Sequence, residues 1–304
     1  MKKILFLLGV LSAVFLFTRV PSVSTDTGYA GAEACKGCHD TYYDSYMHTP
    51  HGKKTIAGSP AAQFGCESCH GAGSEHVAKG GGKGVAIFGF GKTLDAKERS
   101  AKCLTCHEDT QHLVSWNMSK HKSNSIACTD CHSMHAGEGK GLKMGQPDIC
   151  FDCHKDIRLQ TNKQSHHPIR EGKITCTACH DTHGTVGPKM LRADTVNELC
   201  YKCHSEKRGP FRFEHPPVEA NCLNCHAVHG SNHNSLLVRK VPQLCQSCHE
   251  GVSFSFHASA PFTNADSMKG QQPSNKMIAR GCLNCHTNIH GSNGPSDNGQ
   301  RFIR

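Results

Sequence analysis

The stretch 176-CTACHDTH-183 packs two cysteines and two histidines into eight positions. Cys176, Cys179 and His180 form a Cys-x-x-Cys-His unit. At this spacing two thiols add across the vinyl groups on one porphyrin edge, and the next imidazole reaches the iron from one face. Zinc sites and redox pairs also use Cys-x-x-Cys, but neither requires a histidine directly after it. His183 stands outside the unit. It cannot reach the iron held by His180, because the ring is pinned at its edge and three residues do not wrap round a macrocycle. Its expected place is on a different haem.

Outward from this stretch the arrangement repeats. All 20 cysteines fall in such units: Cys35 and Cys38, Cys66 and Cys69, Cys103 and Cys106, Cys128 and Cys131, Cys150 and Cys153, Cys176 and Cys179, Cys200 and Cys203, Cys222 and Cys225, Cys245 and Cys248, Cys282 and Cys285. No thiol is left for a disulfide or a lipid anchor. Ten covalently bound c-type haems (haem c, iron) are predicted. Their proximal ligands are His39, His70, His107, His132, His154, His180, His204, His226, His249 and His286.

The motifs alternate in a period, so the repeat is read before secondary structure. Five tandem dihaem units follow: 35–102, 103–149, 150–199, 200–244 and 245–304, the last with a polar tail. In each unit one histidine precedes the second motif: His51, His121, His167, His215 and His257. Another follows it: His76, His135, His183, His229 and His290. These ten are the expected distal ligands. His48, His112, His166 and His233 are left over. Spacing alone leaves His48 versus His51, and His166 versus His167, open.

Bis-histidine iron has no open position for substrate, which favours an electron carrier over an enzyme. Unit charges about 10 Å apart at a dielectric of about 20 interact by roughly 1.7 kcal/mol. For one electron that is about 70 mV, so coupled haems are expected to titrate over a broad window. The formal charge of +9 does not indicate nucleic acid. Two propionates per haem, with one positive charge on each ferric haem core, bring the total to about −1 oxidised and about −11 reduced, with Lys and Arg as propionate partners.

Residues 1–24 read as a secretory signal peptide, with two lysines ahead of a short apolar run and cleavage as late as residue 30. That places the mature chain in the periplasm. The segment 86-AIFGFGKT-93 nearly matches a phosphate loop, but Ala86 occupies the first glycine position. It is read as part of a flexible Gly/Lys-rich loop, and 258–281 and 291–304 as polar loops. The expected fold class is a multihaem cytochrome c, mostly irregular, with short α-helices, little or no sheet and an extended chain of stacked haems.

Three stretches, 200-CYKCHSEKRGP-210, 241-VPQLCQSCH-249 and 281-GCLNCHTNIHGSN-293, carry a resemblance to the MtrA/PioA/DmsE-type periplasmic decahaem cytochromes of outer-membrane porin–cytochrome conduits. The resemblance covers the chain from about Cys35 onward. It implies a haem chain inserted in an outer-membrane β-barrel porin and fed by a periplasmic or inner-membrane cytochrome donor. It also implies a cell-surface multihaem cytochrome or reductase as acceptor, in metal reduction or iron oxidation. The family pattern has one histidine at "HTPH" and one at "HH", aligning with His51 and His167. The chain departs from it by a short segment before Cys35 and by His48, His112 and His166. The alternatives are a subunit of an extracellular cytochrome filament and, behind it, a multihaem reductase. A reductase needs an open or unusual proximal position, and all ten motifs end in histidine.

Overall fold

A computed structural model describes residues 28–135, 141–249 and 282–303. The expected signal peptide, His257 and the spacer 258–281 lie outside these residues. Each Cys-x-x-Cys-His is a single helical turn. In eight motifs the histidine N–H donates to the carbonyl of the first cysteine at 2.9–3.1 Å. The other two end the helices Ala96–His107 and Gln243–His249. One turn of this kind sets both thiols on one side with the imidazole below them.

The longest described helix, Ala96–His107, starts where Asp95 accepts from the Lys97 N–H at 2.7 Å and carries Glu98 in its first turn. Both features suit a helix N-terminus. Elsewhere the helices span one or two turns. Among the described residues β-structure is confined to five isolated bridges. The tail departs from the expected loop: Asp297–Gln300 is helical, and residues 301–303 fold back toward Asn288. The loop 79–92 does lack regular structure, but it is tied down by the two histidine bonds described below.

The polypeptide has little core of its own. Among the described residues the buried apolar side chains are Tyr46, Ala61, Trp116, Ala127, Phe151 and Ile169. Polar clamps join the two motifs of a unit instead. Glu67, inside the second motif of the first unit and 3% exposed, accepts from the N–H groups of Ala30, Gly31 and Gly73 at 2.7–2.9 Å. Just ahead of the second unit the buried Arg99 donates to that unit's Asp130 at 2.8 Å and Thr129 at 3.1 Å, and Ser100 accepts from its Cys128 N–H. Gln146, ahead of the third unit, bonds that unit's Thr177, and Asn197, ahead of the fourth, accepts from the Cys222 N–H. In these last three units the clamping side chain lies three or four residues before the leading motif.

Neighbouring units are locked differently. Ser165 and Ser231 exchange backbone hydrogen bonds at 2.7 and 2.9 Å, as do Phe213 and Ser292 at 2.9 Å. Gly184, Gly230 and Gly291 each follow a post-motif histidine and lie against the preceding unit. A Cβ there would overlap the Ser115 carbonyl, the Gln160 carbonyl and the Phe211 ring respectively. The lack of a side chain is what permits the approach.

Candidate haem sites

Among the described residues the donors meet in twos rather than in clusters of three or more. A metal–imidazole bond is about 2 Å, so two imidazoles on opposite sides of one ion have ring centroids roughly 6.3 Å apart. Nine histidine pairs have that spacing, and each joins a motif histidine to one of the expected distal residues.

The post-motif series is His39–His76 at 6.4 Å, His70–His135 at 6.0 Å, His132–His183 at 6.1 Å, His180–His229 at 6.3 Å and His226–His290 at 6.2 Å. The pre-motif series is His51–His107 at 5.9 Å, His121–His154 at 6.2 Å, His167–His204 at 6.4 Å and His215–His249 at 6.2 Å. The remaining motif histidine, His286, has its expected counterpart in His257, outside the described residues. Apart from His39–His76, every described pair crosses a unit boundary. Post-motif histidines reach back to the second motif of the preceding unit, and pre-motif histidines reach forward to the first motif of the next.

The donor chemistry fits iron. A ligating imidazole must be neutral, and burial lowers the pKa of His51, His135, His183, His215, His229 and His290. The facing imidazole lowers it further in each. The spare histidines behave otherwise. His166 bonds the Lys163 carbonyl through Nδ1 at 2.7 Å and the Glu171 carboxylate through Nε2 at 3.1 Å, so both nitrogens are engaged. The Glu171 hydrogen bond raises its pKa, favouring a cation. His48 ends the helix Asp40–Met47 and is exposed, as is His112. The His233 N–H donates to Ser231.

A second set of groups was not read from the sequence: the backbone carbonyls that hold the imidazoles. His70 and His76 direct Nδ1 at Phe88 and Val85 in the Gly/Lys-rich loop, both at 2.8 Å. His180, His226 and His286 direct theirs at Lys189, Ser235 and Arg301, at 3.0, 2.8 and 2.6 Å. His121 and His167 use Thr182 and Val228 of the following unit, at 2.9 and 2.7 Å. The equal nine-residue spacing of His180 to Lys189 and His226 to Ser235 was the available signal. At both places the chain turns through consecutive positive-φ residues, which presents the carbonyl to the ring.

The cysteines give the motifs an order. Within each unit the first cysteines approach: Cys35 and Cys66, Cys103 and Cys128, Cys150 and Cys176, Cys200 and Cys222, Cys245 and Cys282. Across unit boundaries the second cysteines interact: Cys69 with Cys106, Cys131 with Cys153, Cys179 with Cys203, Cys225 with Cys248. Each motif therefore neighbours the one before it and the one after it in sequence.

Comparison with known proteins agrees with this geometry. The doubled CXXCH motif family matches residues 166–209 and 215–254, and the NrfB-like cytochrome c-type family matches 66–146. Multiheme cytochrome MtrA of Shewanella baltica is 38% identical over 271 residues, covering 88% of this chain and 80% of that protein. Cytochrome c-type protein NrfB of Escherichia coli is 30% identical over 126 residues, 36% of this chain and 66% of that one. C-type polyheme cytochrome OmcB of Geobacter sulfurreducens is 25% identical over 227 residues, 70% of this chain but 27% of the relative. The chain belongs to the MtrA family of multihaem c-type cytochromes, binds its haems covalently through Cys-x-x-Cys-His motifs, and is an electron-transfer protein rather than an enzyme.

Proposed function

We propose that the chain holds ten haems in single file, in the order of its motifs, and carries electrons along that file between the periplasm and the cell exterior. The observation that carries this reading is the unbranched succession of neighbouring cysteines from Cys35 to Cys282. The bound haems supply a one-electron iron couple. The cysteines would anchor each haem covalently, and the motif histidine and its paired histidine would hold its iron, which would leave no position for a substrate. His51 and His167 are the distal ligands in preference to His48 and His166, and His257 serves the motif ending in His286. The five dihaem units 35–102, 103–149, 150–199, 200–244 and 245–304 are units of sequence that share their ligands.

No described helix is long and apolar enough to cross a membrane. A polar, propionate-rich chain cannot face hydrocarbon, whereas the lumen of an outer-membrane barrel can be polar. The partner is such a porin, with a periplasmic or inner-membrane donor on one side and a cell-surface multihaem cytochrome or reductase on the other. Glu67 holds the Ala30 and Gly31 N–H groups, and the Gly28 carbonyl accepts from Ser74 at 3.0 Å. These contacts favour signal cleavage near Ser24 over cleavage at Ala30.

Haemochrome content normalised to protein should give ten haems, with EPR of the oxidised protein showing only low-spin iron. Reconstituted with its barrel in liposomes loaded with a redox dye, the chain should pass electrons from an impermeant reductant, and either component alone should not. Transfer without a barrel would overturn the conduit, as would failure of the assembled pair.

A further inference from the structure

A metal-bound imidazole is tuned by the acceptor on its other nitrogen. A carbonyl on Nδ1–H fixes the tautomer and strengthens the ring as a donor. A stronger donor favours ferric iron and lowers the reduction potential. Six of the nine described pairs have one such carbonyl; the His121–His154 pair, for example, has Thr182 on His121. His215 lies near the Ile289 backbone, which draws its pKa up against the lowering by burial and His249, but its buried Nδ1 makes no hydrogen bond. For His132 the following loop includes residues 136–140, outside those described. At the pair His51–His107 as well, no carbonyl among the described residues hydrogen-bonds either ring.

The reason lies in the junction. His121, His167 and His215 face the carbonyls of Thr182, Val228 and Ile289, each the residue just before the next unit's post-motif histidine. The equivalent carbonyl for His51 is that of Met134, before His135. His51 is held by its own unit instead. It sits in the 3-10 turn Pro50–Gly52, with its carbonyl accepting from the Tyr46 hydroxyl at 2.7 Å. The close-approach glycine is absent too, since Gly184, Gly230 and Gly291 correspond to Ala136.

Resting on the ligand reading above, we infer that the iron bound by His107 and His51 has a more positive reduction potential than the six sites whose imidazole is hydrogen-bonded to a backbone carbonyl. Relative to the His121–His154 site, its reduced-to-oxidised ratio at a given potential is at least tenfold higher, a separation of about 59 mV for one electron.

The experiment is spectropotentiometry of the full holoprotein with parallel EPR, comparing wild type, His51→Ala, His121→Ala and Gly184→Ala. Each histidine variant should turn one haem high-spin. In wild type the low-spin component lost in His51→Ala should be reduced at least about 59 mV above the one lost in His121→Ala. In Gly184→Ala all haems stay low-spin, but displacing Thr182 from His121 moves that site's step upward. High-spin signals with the two components level or reversed would overturn the inference alone. Silence of both histidine variants in EPR would overturn the ligand assignment and the inference with it. An unmoved step in Gly184→Ala would overturn the carbonyl as its cause.

Discussion

The junction between the first two units and the junctions that follow it solve one problem in two ways. In the later ones a serine–serine or phenylalanine–serine backbone exchange, or Ser119 on the Thr182 carbonyl at 3.4 Å, ties a pre-motif histidine to the next unit. A glycine then lets the loop close against the neighbour. At the first junction Tyr46, Thr49 and the turn Pro50–Gly52 build the histidine's support from its own unit. His51 still reaches His107 at 5.9 Å, with ring planes crossed at 73°. Ligand placement and ligand tuning are thus separable: the first needs only reach, whereas the second needs a particular carbonyl.

Removing a histidine from a later junction should have the largest effect. His183→Ala should leave the motif-4 iron, in the preceding unit, five-coordinate and high-spin, and His166→Ala should leave every haem low-spin; EPR spin quantification checks both. A defect confined to the variant's own unit would break the interlocked description. Next in size is Arg99→Met, which strands Asp130 inside the second unit. Losing one partner of a buried pair costs about 3 kcal/mol. The denaturation midpoint should fall accordingly, while the spin state stays unchanged.

Gly230→Ala tests the close approach itself. Its Cβ would overlap the Gln160 carbonyl, and overpacking of this kind costs about 1–3 kcal/mol. Gly145→Ala, where a Cβ meets nothing within 4 Å, should stay within about 0.5 kcal/mol of wild type. Equal midpoints for the two variants would remove steric closure from the account. The smallest effect belongs to the first junction. Tyr46 is 7% exposed and burial pushes its phenol up to about 12, so it remains a donor to the His51 carbonyl. Tyr46→Phe should cost about 1 kcal/mol without shifting the redox step of the His121–His154 site.

What the sequence determined by itself is the chemistry and its bookkeeping. Twenty cysteines in one local pattern give the covalent haem attachment, because thiol spacing and the adjacent histidine are fixed within a single helical turn. The sparse core was legible as well, since little apolar side chain lies between the motifs. The tertiary structure alone decided which histidine faces which. Partners such as His132 and His183 lie far apart in sequence, and spacing cannot specify a pairing that crosses a unit boundary. It also separated His167, which faces His204, from His166, whose two nitrogens are taken by Lys163 and Glu171. The carbonyls on Nδ1 belong to the same class. Every residue has a carbonyl, so its use depends on where the folded backbone turns, and no side-chain letter marks it.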